Sequence, residues 1–275
     1  MKRILTIQDI SCVGKCSLTV ALPIISAMGI EAAILPTAVL STHTGFKNFT
    51  FCDLTDEIDK IKTAWRAENI GFDGIYTGFL GSFLQLEKMA EIFDEFGKNS
   101  PILVDPCMGD NGKLYSIFDL KFAAAMGELC KKADIITPNL TEACFLTSTK
   151  YPQNGYDSDF VGELLDKLKA FGNKKIVLKG ISYDEKTCGV FGFDRDKNEL
   201  TSYFHELVPQ RFHGTGDMFA SALFSKIVLG DNLENAIKTA ANFVLDAIKC
   251  TLANESRNWY GVDFESALPN LIKNL

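Results

Sequence analysis

The chain has 275 residues, 47% of them hydrophobic and 23% charged, with a formal net charge of −7. That size and balance fit one large α/β domain with a substantial core. They argue against a basic nucleic-acid surface, and no apolar run is long enough to cross a bilayer. The apolar stretch after Lys2-Arg3 is too short for a signal peptide, and the eight scattered cysteines contain no Cys-x-x-Cys. Both features point to reduced thiols in a cytoplasmic protein.

In chain order, Ile4–Ile7 reads as a strand and Ser17–Met28 as a helix stopped at Gly29. Ala32–Leu40 is a second strand whose Pro36 marks an edge or an irregularity. A helix over Thr55–Asn69, a short strand at Gly74–Tyr76 and a helix over Phe83–Phe96 follow. Then come a strand at Ile102–Val104, a helix over Phe118–Lys131 and a strand at Ile135–Thr137. A helix opens near Thr141, another covers Asp159–Phe171, and Ile176–Leu178 is a strand. Cys188–Phe193 and Leu200–His205 flank the polar turn Arg195–Asn198 as a β-hairpin, a candidate shield for a bound nucleotide or a purely structural one. Helices over 217–229, 232–252 and roughly 263–273 finish the chain. This succession of βα units predicts a three-layer α/β/α fold: a mostly parallel central sheet with helices on both faces, in one domain spanning 1–275.

Polarity collects where the strands end: Gln8-Asp9, Ser41–Thr44, Thr77-Gly78, Asp105-Pro106, Pro138-Asn139 and Lys179-Gly180. In an open parallel sheet, ligands bind in the crevice beyond those ends. The most informative stretch is His213-Gly214-Thr215-Gly216-Asp217, a glycine-rich turn that leads into a helix. Such a turn offers unpaired N–H groups and the positive end of the helix dipole to an anion. Asp217 places a carboxylate beside them. Anion donors next to a base are what phosphoryl transfer to an alcohol needs, although ordinary helix capping uses the same residue types. Asp105 and Asp110 are acids in a loop after a strand, suited to work near phosphates through Mg²⁺ or simply to cap a turn. Asn139 and Glu142 lie three apart at a helix start. Either they face the crevice together or they form a capping box.

Taken in order, Asp105-Pro106-x-Met108-Gly109, Asn139-x-x-Glu142 and Gly214-Thr215-Gly216-Asp217 resemble the ribokinase superfamily of small-molecule kinases. Ile7-Gln8, Ser41-Thr42-His43-Thr44-Gly45-Phe46 and Thr77-Gly78-Phe79-Leu80 are similar to the vitamin B6 (pyridoxal) kinase branch. The resemblance implies a ribokinase-like fold and ATP-dependent phosphorylation of the 5′-hydroxymethyl group of pyridoxal, pyridoxamine or pyridoxine. It implies Asp217 as the base, with Gly214, Thr215 and Gly216 cradling the transferred phosphoryl. Asp105, Thr137, Asn139 and Lys179 fall on the ATP side, and Asp110 and Glu142 on the Mg²⁺ side. Asp9, His43, Thr44 and Phe79 would surround the pyridine ring, with Val39 and Phe46 adding apolar surface. A monovalent cation and a homodimer are further expectations of the resemblance, with no nucleic-acid or membrane partner. Two departures stand out: Asp9 where many B6 kinases carry Ser, and Phe79 where Tyr is common. The nearest alternatives are a kinase of hydroxymethylpyrimidine or another hydroxymethyl heterocycle, and a non-catalytic vitamer-binding protein of the same fold.

Overall fold

A computed structural model describes residues 1–210 and 212–273; Arg211, Asn274 and Leu275 of the expected domain lie outside the described residues. The elements run β1 (Arg3–Val13), α1 (Leu18–Ala27), β2 (Glu31–Thr42), β3 (Phe51–Asp53), α2 (Thr55–Ala67), β4 (Gly74–Thr77), α3 (Phe83–Phe96) and β5 (Ile102–Val104). They continue through the small hairpin β6 (Gly109–Asp110) and β7 (Lys113–Leu114), then α4 (Leu120–Lys131), β8 (Ile135–Ile136), α5 (Leu140–Leu146), α6 (Ser158–Lys169) and β9 (Lys175–Ile181). The chain ends with β10 (Thr187–Asp194), β11 (Glu199–Glu206), α7 (Thr215–Val228), α8 (Leu233–Ala253), a 3₁₀ turn at Phe264–Ser266 and α9 (Leu268–Lys273).

Among the described residues, nine strands form one sheet in the order β11-β10-β9-β8-β5-β4-β1-β2-β3. The six from β9 to β2 are parallel, and the outer strands β3, β10 and β11 join antiparallel. Alternation along each strand builds two cores. Leu5, Ile7, Ile75, Val104, Ile136, Ile176 and Leu178 face α2 to α6, whereas Ile4, Tyr76, Leu103, Ile135 and Val177 face α1, α7 and α8. This is the three-layer arrangement the periodicity predicts. The strand order reverses between β1 and β4, so the crevice beyond Ile7 and Thr77 is the topological switch point.

Several boundaries differ from the sequence reading. β1 and β2 run on past the predicted ends and stay paired as far as Val13 and Thr42, with β3 added outside Ala38–Leu40. Pro36 sits beside a register shift after Gln8, and β3 begins pairing only at Ala38, so both proposed reasons for a proline there hold. The predicted last helix is a 3₁₀ turn followed by the short α9. The hairpin needs a larger correction. β10 is antiparallel to β9 and pairs Asp194 with Lys175 at the start of β9. Its Arg195–Asn198 turn therefore lies at the end of the sheet opposite the crevice and cannot shield a nucleotide there. Among the described residues no helix is long and apolar enough to cross a membrane.

α7 is seated by Phe224, which is fully buried next to Tyr76, with ring centroids 6.3 Å apart. A Cβ at Gly74 would come within 2.9 Å of the Phe224 ring, so only a glycine lets the helix approach β4 this closely. Replacing Phe224 with Ala is expected to cost about 3–5 kcal/mol in urea unfolding. A loss below about 1 kcal/mol would show that this contact does not hold α7 in place.

Candidate active site

The crevice is floored by side chains delivered from five chain segments. Asp217 occupies the first turn of α7, whose cap, Gly214, has the left-handed φ of 84°. A side chain at Gly214 would collide with the Lys15 carbonyl, so the turn can lie against the β1–α1 loop only with glycine there. The Ser17 N–H donates to Asp217 Oδ2 at 2.9 Å. A Cβ on Gly216 would lie 3.6 Å from Lys179 Nζ and 3.9 Å from Asp105 Oδ2, which puts the α7 turn directly beside that pair. The structure therefore brings Asp105, Lys179 and the Gly214–Asp217 turn together.

Lys179 Nζ contacts Asp105 Oδ1 at 2.6 Å, and the Thr137 hydroxyl donates to the same oxygen at 3.0 Å. Burial works against the Lys179 charge, but Asp105 and Glu142 outweigh it and hold the ammonium above its ordinary range. Asn139 and Glu142 form a complete capping box at α5. Glu142 Oε2 accepts the Asn139 N–H at 2.8 Å, and its Oε1 accepts the Met108 N–H at 3.3 Å. The Asn139 amide donates to the Gly109 carbonyl at 2.9 Å. The capping reading of this pair is thus realised, and it also ties the Asp105–Asp110 loop to the start of α5. Burial pushes the Glu142 carboxyl up to about 8, with Lys179 opposing and Asp105 adding to the shift. Asp110 sits exposed at the β6–β7 turn, where it accepts the Asn111 N–H and side-chain amide at 2.8 Å each.

These acids were expected to work near a divalent cation. Among the described residues no three His, Cys, Asp or Glu side chains group as direct metal ligands. Among the described residues, Asp105, Asp217 and Glu142 are buried and Lys179 pairs with Asp105, so the donor set suits a positive ion held through its water shell and phosphate oxygens. It does not suit a cation caged by protein alone.

On the other side of the crevice, Phe79 lies against Phe118, with centroids 5.7 Å apart, and Phe118 stacks on Phe122 at 4.0 Å. His43 is buried. Its Nδ1 accepts the Gly45 N–H at 3.0 Å, which leaves Nε2 to donate to the Tyr260 carbonyl at 3.0 Å. Burial lowers its basicity, and His213 nearby adds to the effect. His43 therefore shapes its own loop, while Thr44 next to it is exposed. Rings of Phe46, His213 and Trp259 surround His43 at 4.9, 4.6 and 6.0 Å. Asp9, expected against the substrate ring, has both oxygens occupied: Ser17 Oγ donates to one at 2.6 Å and Ser11 Oγ to the other at 3.2 Å.

Sequence reasoning missed four contributors. Ser17 was read only as a helix start, yet it joins Asp9 to Asp217. Lys15 bonds Asp263 and Glu265 at 3.0 and 2.7 Å and straps the β1–α1 loop to the C-terminal segment. Trp259 and Tyr260 close the aromatic cluster from the same segment. Nothing local to these residues signals the role: the contacts of Ser17 with Asp217, Lys15 with Asp263 and Tyr260 with His43 each span 200 residues or more. Burial, and then Asp217 and Asp105, push the Cys107 thiol far up, so it stays a neutral thiol.

The family profile described as phosphomethylpyrimidine kinase matches residues 22–260. The chain belongs to the phosphomethylpyrimidine kinase family. It shares 37% identity with a putative phosphomethylpyrimidine kinase from Bacteroides thetaiotaomicron, over 98% of this chain and 93% of that one, with a TM-score of 0.94. An orthorhombic crystal form of that protein with pyridoxal superposes with a TM-score of 0.92. The pyridoxal kinase of Lactobacillus plantarum is 28% identical over 99% of this chain and 97% of its own, with a TM-score of 0.91. The hydroxymethylpyrimidine/phosphomethylpyrimidine kinase of Bacillus subtilis is 28% identical over 83% of this chain and 81% of its own length. The ribokinase-type kinase fold expected from the motifs is therefore the fold of this family.

Burial pushes the Asp217 carboxyl up to about 7; the Ser17 N–H pulls against this, and Asp105 and Asp9 add to it. Because the folded state binds this proton more tightly than the unfolded state, Asp217 costs the fold nothing at low pH. Stability declines as pH rises from about 4 through about 7. Asp217→Asn removes that ionisation, so it should raise Tm more at about pH 8 than at about pH 5. An equal change at both pH values would contradict the shift.

Proposed function

We propose that the protein is an ATP-dependent kinase that phosphorylates the 5′-hydroxymethyl group of a B6 vitamer. The observation that carries this reading is the buried Asp217 carboxylate, in the first turn of α7, beside the Asp105–Lys179 pair. With its proton held near neutrality, such a carboxylate can take the proton of a primary alcohol. The first-turn N–H groups of Thr215 and Gly216 have no partner within the helix and meet the charge on the transferred phosphoryl. Lys179 supplies a fixed positive charge on the phosphate side, pre-aimed by Asp105 and Thr137. Asn139 and Glu142 hold the neighbouring loop, and a hydrated Mg²⁺ with Asp105, Asp110 and Glu142 in its outer surroundings would neutralise the nucleotide. The Phe79–Phe118 wall and the His43 loop offer a heteroaromatic ring one flat apolar face and one polar rim.

Solved relatives support the vitamer over other ring alcohols, since one was crystallised with pyridoxal and another is a pyridoxal kinase. The second reading, hydroxymethylpyrimidine as substrate, is favoured by the family description and the Bacillus subtilis relative. Both use the same base and phosphoryl cradle. The proposal extends to one catalytic domain across 1–275 acting as a cytoplasmic homodimer. Eight free cysteines suit a reducing compartment, and the exposed Phe51 on the terminal strand β3 suits a partner contact.

An ADP-coupled assay with pyridoxal, pyridoxamine, pyridoxine and hydroxymethylpyrimidine tests the reading. Asp217→Asn is expected to lower kcat about 10²–10⁴-fold with KM for ATP held within a few-fold. Retained kcat in that variant would remove Asp217 as the base. Turnover confined to the pyrimidine would replace the vitamer.

A further inference from the structure

Between β1 and α1 the chain makes an unusual entry into its helix. Ser17 is the N-cap of α1, with a left-handed φ of 52°, and its side chain makes no capping hydrogen bond. An L-residue avoids that conformation unless its surroundings impose it. Three contacts do so here. The hydroxyl is diverted to Asp9 Oδ1 at 2.6 Å, the N–H is aimed at Asp217 Oδ2 at 2.9 Å, and Lys15, two residues earlier, is strapped to Asp263 and Glu265. Asp9 is 5% exposed and its other oxygen accepts the Ser11 hydroxyl, so both oxygens are engaged by the β1–α1 segment.

We propose that Asp9 is a positioning residue for phosphoryl transfer: it grips the Ser17 hydroxyl, locks Ser17 in its positive-φ conformation and so keeps the Ser17 amide on the Asp217 carboxylate. This deepens the kinase reading and rests on it. An Asp at this position, in place of the Ser of many related kinases, then serves the base rather than the substrate ring. A carboxylate accepts two hydroxyl donors at once, whereas a serine at this point has one oxygen and no charge. Its charge also bears on Asp217. Among the described residues, the groups electrostatically coupled to Asp217 include Asp9 on β1, Cys16 in the loop, Tyr76 on β4, Asp105 and Cys107 after β5, Tyr115 after β7 and Lys179 on β9. Of these, Asp9 is the one joined to Asp217 through a single residue.

The variants separate position from charge. Asp9→Ala removes the acceptor. Ser17→Gly removes the hydroxyl at a φ that glycine adopts freely, and it keeps the amide. Asp9→Asn keeps an acceptor for Ser17 and removes the charge. With ATP and each of the three vitamers, Asp9→Ala and Ser17→Gly are expected to lower kcat by about 10-fold or more, with vitamer KM within about threefold. Their double variant should be no worse than either alone. Asp9→Asn is expected to recover most of kcat and to move the acid limb of kcat/KM to lower pH. Unchanged kcat with raised KM, or effects that differ among the vitamers, would make Asp9 a substrate contact and overturn the proposal. If Asp9→Ala fails to fold, Ser17→Gly and Asp9→Asn decide the matter. A wild-type protein that phosphorylates neither a vitamer nor hydroxymethylpyrimidine overturns the kinase reading instead. In that event, a ¹³C NMR titration of Asp217 in Asp9→Asn still decides the coupling: a lowered pKa supports it, and an unchanged one overturns it.

Discussion

The site depends on keeping a carboxylate dry. Asp217 gives up most of its hydration at the start of α7, and among the described residues its hydrogen-bond donor is a backbone N–H from a loop about 200 residues earlier in the chain. An isolated buried carboxylate would be strongly destabilising if ionised. One hydrogen bond, neighbouring acids and a lysine held at some distance leave it poised between its two protonation states. Burial, the Asp105 charge and the Ser17 amide set that poise together, so a change to any of them alters the base.

Much of the polar chemistry in this site is also structural. Glu142 and Asn139 cap α5, Asp105 holds Lys179, and His43 spends both ring nitrogens on backbone groups. A strand-end loop cannot carry precise chemistry unless something fixes it, and these residues fix the loops while presenting their remaining edges to the crevice. The charge arrangement explains how an acidic protein can accept a polyanionic nucleotide. Among the described residues, Lys179 and the N-terminus of α7 bring positive potential to the crevice.

What was legible in the sequence follows a physical divide. Alternating apolar residues in Leu5, Ile7, Ile75, Val104 and Ile176 require strands with two covered faces, so the layered fold could be read from local pattern. The glycines of the 214–217 turn could also be read, because a helix entered through a left-handed cap needs them. The long paired ends of β1 and β2 could not. Their residues past Gln8 and Leu40 are polar and mixed, and only mutual pairing and the short β3 keep them extended. Nor could the placement of the hairpin turn at 195–198, since the polarity of a turn says nothing about the end of the sheet on which it falls. The roles of Ser17, Lys15 and Tyr260 are tertiary: each meets its partner only because β1, β2 and the C-terminal segment converge at the same edge of the sheet.

The most direct test of this account is the ionisation of Asp217 in the folded protein, followed by ¹³C NMR of its carboxyl carbon across the neutral pH range. A titration near 7 is expected, as burial and the neighbouring acids require, absent from the spectrum of Asp217→Asn. A carboxyl that titrates in the ordinary aspartate range near 4 would show a solvated side chain outside a dry crevice, and would contradict Asp217 as a base poised near neutrality.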